Sequence, residues 1–248
     1  MSEFSDAHIE AAINDFAIRC FRDTADRDYI HARLAYCSSL IPQFRWSALH
    51  CLEKYGKCIL LLNRISSKGV RHNVSQSLAK LKASGKFDIE LSDQSKAFMV
   101  SLERNAQYRY LETSYYSMPG DLHALDKAVW EIRRYCQVME YEIETPSGPK
   151  DLFRLVLEGI HRAKERGQLN SSIISGWLEN VIKKNDHPAR KALIWNNPFF
   201  GKVKRNTFRM RVHSESVNAP LQLHPEILDE VLKYVFVPKA LINELQGS

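Results

Sequence analysis

The stretch SALHCLEKYGKCILLLN, Ser47 to Asn63, decides how the chain is read. Joined to the residues just before it, it places Phe44, Ala48, Leu52, Tyr55, Ile59 and Leu62 at steps of three and four, the spacing of one buried helical face. A helix from about Pro42 to Asn63 follows. His50, Glu53, Lys54 and Lys57 fall on the opposite half of the same wheel. Two readings stand side by side: a solvated face on which Glu53 and Lys57 pair at i,i+4, or a site.

Outward from this helix the pattern stays helical. Ile30, Leu34, Cys37 and Ile41 keep the spacing of one face, so a helix over about Asp26 to Leu40 should bury them, and Pro42 suits the first turn of the next. Ser66 to Gly69 connects to a helix over about Asn73 to Ala83. Another begins near Ser92 or Asp93, both good caps, and runs to about Gln107. After the turn SMPGD, Leu122, Leu125, Val129, Ile132, Cys136 and Met139 form one stripe. TPSGP, Thr145 to Pro149, breaks the chain and marks the expected domain boundary. Helical patterns return at about Lys150 to Glu165 and Ser171 to Lys184, and Pro225 opens a last one through about Tyr234. In KRNTFRMRVHS, Phe208, Met210 and Val212 alternate with Arg209, Arg211 and His213, a strand signal with one basic edge.

With 248 residues and 44% apolar side chains the chain can bury a substantial core. The longest purely apolar run, Cys58 to Leu62, is too short to span a bilayer, and the acidic amino terminus does not resemble a signal peptide. A cytoplasmic protein without a membrane segment is expected. Its cysteines, 20, 37, 51, 58 and 136, form no metal or redox spacing and read as buried free thiols. The net charge of +6 is unevenly placed. Residues 1–145 hold 19 basic and 19 acidic side chains, so residues 146–248 carry the whole excess. Nine cations lie between Lys183 and Arg211 against Asp186 alone, a local patch that points to a polyanionic partner.

Several segments, taken in order, resemble a HEPN domain, the helical-bundle family often paired with small nucleotidyltransferases and also found as RNA-cleaving toxins. They are ADRDYIHARLAY (Ala25–Tyr36), SALHCLEKYGKCILL with Glu53 and Lys54 at the family's Glu-Lys position, RHNVSQSLAKL with His72 opening the third helix, and QYRYLETSYY with Arg109 and Tyr110 as its Arg-Tyr pair. The resemblance covers about Phe21 to Tyr141. It implies a helical bundle, a homodimer or a nucleotidyltransferase-type partner, a prokaryotic toxin–antitoxin or defence setting, and a partner subunit or a nucleotide met by the next helix together with the helical face that carries Lys54 and Lys57.

HEPN ribonucleases resemble one another in an arginine followed by a histidine after four to six residues. Such a pair can move the 2′-OH proton and neutralise the developing phosphorane. Arg45–His50 and Arg154–His161 have that spacing, but nine histidines generate about two such matches by chance. Arg45 and His50 diverge by about 140° on a helix, and the face of Arg154 and His161 also carries Glu158 and Glu165, as a salt-bridged exterior does. Arg71 with His72, or Arg209 with His213, are the remaining weak catalytic candidates. No glycine-rich phosphate loop, zinc helix or nucleophile elbow occurs, and neither metal nor cofactor is expected. Lys202, Lys204, Arg205, Arg209 and Arg211, mixed with Trp195, Phe199, Phe200 and Phe208, suggest a single-strand platform, or else core aromatics behind a solubilising edge.

The expected protein is therefore mainly α: a HEPN-like bundle over residues 1–145 and a basic, mostly helical region over 146–248 with a short basic β-hairpin or strand. Lys54, Lys57, Arg71, His72, Arg109, Lys202, Lys204, Arg205, Arg209 and Arg211 are its candidate nucleotide or RNA contacts. The expected role is binding; a metal-independent ribonuclease and a non-catalytic interaction scaffold are the alternatives.

Overall fold

The computed structural model describes residues 5–106, 118, 120–146, 148–165, 176–201, 224–234, 239 and 242–243. It is mainly helical. α1 (Asp6–Phe16) runs through a π-helical turn (Ala17–Arg22) into α2 (Asp23–Cys37), followed by α3 (Ile41–Leu62), α4 (Val74–Ala83), α5 (Asp93–Ala106) and α6 (Asp121–Arg133). Strands β1 (Glu142–Thr145) and β2 (Gly148–Asp151) lead to α7 (Leu152–Glu165), α8 (Trp177–Lys183) and α9 (Arg190–Ile194). A 3-10 turn (Pro225–Ile227) and the short α10 (Leu228–Val231) come last among the described elements.

α3 is the axis of the bundle. Phe44, Ala48, Leu52, Tyr55, Ile59 and Leu62 are all buried, as their spacing requires. α2 lies antiparallel to it: Asp26 meets Tyr55, Asp28 meets Lys54, His31 meets Ser47 and Tyr36 meets Phe44. α6 buries Leu122, Leu125, Val129 and Ile132, with Cys136 buried beyond its end. Local chemistry sets the helix starts. Ser5 caps α1, and the Asn73 side chain accepts from the Gln76 amide at 2.6 Å to cap α4.

α2 departs from its sequence pattern. Leu34 is 48% exposed and Cys37 only partly buried, whereas Asp26, Tyr29 and Arg33 are fully buried. The reason is charge pairing. Arg133 donates two hydrogen bonds to each of two carboxylates, to Asp26 at 2.7 and 2.9 Å and to Glu179 at 2.7 and 2.8 Å. The Tyr55 hydroxyl adds a third donor to Asp26 at 2.6 Å. Arg33 pairs with Asp126 and also donates to the Ala192 and Trp195 carbonyls. Burial acts to lower the Arg33 pKa, but the Asp126 carboxylate outweighs it and holds the guanidinium charged. These partners satisfy charges that would otherwise be too costly to bury.

Helices α8 and α9 contribute the partners, so residues beyond the Thr145–Pro149 break pack into the same core as α2 and α6. Leu178, Val181, Ala192 and Leu193 are buried in it, and Asn197 donates to the Tyr29 hydroxyl at 2.8 Å. The break itself is an antiparallel hairpin pairing Glu142 with Asp151 and Thr145 with Gly148. Gly148, at φ 105°, takes a conformation open to glycine. Among the described residues no helix is long and apolar enough to cross a membrane.

Replacing Arg133 by Met should leave Asp26 and Glu179 as buried, uncompensated carboxylates. The expected cost is about 3–5 kcal/mol, read as a lowered urea midpoint. Removing Arg19, which pairs with Asp15 in an exposed i,i+4 bridge, should leave the midpoint unchanged.

Candidate functional site

The outer face of α3 meets the turn that precedes α4, and there the polar residues of the helix acquire partners. Trp46, His50, Glu53 and Lys57 follow one another at steps of three and four along the face. His72 arrives from the far side of the connection. Its Nδ1 lies 3.0 Å from Glu53 Oε2, while Lys57 Nζ donates to Oε1 at 2.6 Å. The ring of His50 stacks on that of His72 at 5.8 Å and 18°. Trp46 touches both, 4.0 Å from His50 and 5.7 Å from His72. Lys54 turns aside to Asp28 on α2.

Three local features hold His72 in place. It has φ 42°, a left-handed backbone that non-glycine residues adopt rarely and at a cost. The connection behind it is tied by Lys80, which donates to the Ser66 and Lys68 carbonyls at 3.1 and 2.9 Å. Glu103 on α5 accepts from the Ser75 amide and hydroxyl at 2.7 and 2.8 Å, anchoring the first turn of α4. Gly56 lets α4 come this close: a Cβ there would stand 2.9 Å from Ser77 Cβ, inside contact distance.

The electrostatics follow from this packing. Glu53 is buried. Burial raises its pKa, but the hydrogen bond and charge of Lys57, with His72, outweigh that and bring it below the ordinary carboxylate value. Burial lowers the His50 pKa below 6.5; Glu53 and Asp28 oppose the shift, and Lys54 and His72 add to it. At neutral pH this face thus holds a carboxylate and a neutral imidazole. Its two ring planes and one indole offer stacking surface, and its nitrogens and Oε2 offer donor atoms. His50, Glu53 and His72 form a group of potential metal ligands whose ligand atoms all lie within 4.8 Å of one another. Sequence spacing alone shows no such cluster.

The other sequence candidates fall as follows. Arg71 is exposed beside His72. Arg109, Lys202, Lys204, Arg205, Arg209, Arg211 and His213 lie outside the described residues, as do Tyr108, Phe208 and the expected basic strand. Arg45 turns away from His50: it donates to the Ser101 carbonyl at 3.0 Å and pairs with Asp121 at 3.5 Å. Arg154 bridges Glu158 at 3.2 Å on the exposed side of α7, as an exterior face should. Phe199 is buried against Trp130, and Phe200 packs on Tyr29. With Trp195 partly buried against the core, these three aromatics serve packing and are not an open platform. Exposed cations nearby are Lys183, Lys184 and Lys191.

No family model, curated protein or solved structure matches the chain.

Two measurements probe this geometry. Gly56→Ala should destabilise the protein by about 1–3 kcal/mol, the usual cost of overpacking, and Ser77→Gly should relieve it. In a double-mutant cycle the pair should be more stable than the sum of the single changes by at least ~1 kcal/mol. For His50, a folded-state pKa below the unfolded value means that its contribution to stability is fully present above the unfolded value of about 6.5 and is lost as the pH falls from there through the lower folded-state value. An NMR titration of its ring should accordingly give a midpoint below 6.5.

Proposed function

We propose that this chain is a HEPN-like binding protein that takes up a nucleotide or single-stranded RNA on the α3–α4 face. The observation that carries the reading is the gathering of Trp46, His50 and His72, with ring centroids 4.0 to 5.8 Å apart, next to exposed Arg71. Flat rings stack on unpaired bases of any sequence, and adjacent cations supply phosphate affinity. The helical bundle agrees with the HEPN resemblance. That resemblance adds a homodimer or a nucleotidyltransferase-type partner, and a prokaryotic toxin–antitoxin or defence setting.

Within this reading Trp46 and the two imidazoles are the base platform, and Arg71 is the phosphate contact. Lys54 and Lys57 lie in the same face but are engaged by Asp28 and Glu53, so they shape the potential of that face more than they offer free charge. Lys183, Lys184 and Lys191 are exposed, and together with the cations of 202–211, which lie outside the described residues, they are the further candidate contacts for a longer strand.

The test is a titration of labelled single-stranded RNA with chelator present. Trp46→Ala should weaken binding by about 5- to 150-fold, the value of one base stack at 1–3 kcal/mol. Arg71→Gln should reduce the salt slope by about 0.7, one single-strand phosphate contact. Unchanged affinity in folded Trp46→Ala would place the binding surface elsewhere. The same incubation reads out cleavage, which would add a metal-independent ribonuclease activity to binding.

A further inference from the structure

We propose that His50, Glu53 and His72 form a binding site for a divalent first-row transition ion of the zinc class. The donor atoms all lie within 4.8 Å of one another. His72 Nδ1 and Glu53 Oε2 are 3.0 Å apart, close to the separation of about 3.3 Å that two donors have on a tetrahedral zinc at bonds near 2.0 Å. The ion takes the place of the proton between those two atoms. His50, one turn before Glu53 on α3, closes the third corner, and its stacking on His72 already places the two rings side by side.

The surroundings suit such a site. Lys57 holds Oε1 at 2.6 Å and so fixes the carboxylate with Oε2 turned to the imidazoles, the orienting role that neighbours of metal ligands commonly have. Glu53 is 6% exposed and so ordered by packing, and the backbone of His72 is set by the turn before α4. Of the nearby charges, Asp28, Glu53, Lys54 and Lys57 cancel, and exposed Arg71 adds one positive charge. A site without excess negative charge, built from two nitrogens and one oxygen, favours zinc, cobalt, nickel or copper over magnesium or calcium, which need mostly oxygen donors. Three protein ligands leave a fourth position for water or for an oxygen of a bound molecule.

This inference goes beyond the nucleotide reading and does not depend on it, since RNA binding is read with chelator present. The test uses the untagged full chain, stripped with chelator and dialysed. Cobalt should bind at one ion per chain with a visible spectrum of low coordination number and no thiolate charge-transfer band; zinc should compete for the same site and raise Tm, whereas magnesium should not. His50→Ala and His72→Gln should each weaken zinc binding at least tenfold. Absence of the cobalt spectrum in the wild-type chain would overturn the assignment, as would a thiolate band or unchanged zinc affinity in a folded double variant. The wild-type spectrum decides the matter even if a variant fails to fold.

Discussion

The structure depends on a guanidinium that is almost wholly buried. Arg133 ends α6 inside the protein, and only the paired carboxylates of Asp26 and Glu179 make that position tolerable. Those carboxylates come from α2 and α8, segments more than a hundred residues apart in sequence, so one side chain determines which helices can be neighbours. Arg33 repeats the arrangement one turn beyond Tyr29, gripping Asp126 on α6 and the carbonyl end of α9. Apolar burial supplies most of the driving force for such a fold, but it is indifferent to partner identity. Fork-shaped, directional contacts are not, and a wrong docking of α8 or α9 would strand charge in the interior.

The functional face inherits its geometry from that interior. Packed on α2, which Asp26 and Arg33 fix in the interior, α3 leaves Trp46, His50 and Lys57 half-buried on its outer side, with Glu53 buried among them. The close α3–α4 approach at Gly56 then brings His72 onto the same face. Thus the rings and the carboxylate are held by backbone elements packed on both sides, which is what a site with fixed donor positions needs.

How much of this was legible in the sequence differs from helix to helix. α3 and α6 were, because their apolar residues repeat at helical spacing and each one expected inside is inside or packed against the core. α2 was not. Its period pointed to Leu34, while the buried face is carried by Asp26, Tyr29 and Arg33, and hydrophobicity assigns such residues to water unless their distant partners are known. The Glu53–Lys57 pair was readable because i,i+4 contacts are local. The Glu53–His72 contact was hidden, since it depends on the return path of a connection from Asn63 to Asn73. Phe199 and Phe200 could be read either as a platform or as core, and the choice turned on Tyr29 and Trp130, far away in sequence.

The π-helical turn at Ala17–Arg22 bears on how the chain can change length. A π turn accommodates one more residue than an α turn while the helices on either side keep their phase. Losing one residue there converts it to ordinary α-helix and leaves α1 and α2 facing as before. The same loss between Asp26 and Arg33 rotates everything beyond it by about 100°, carrying Arg33 away from Asp126 while Asp26 stays in place. A one-residue deletion is therefore absorbed at the junction and disruptive a turn later, which makes the segment a length buffer for the amino-terminal helix.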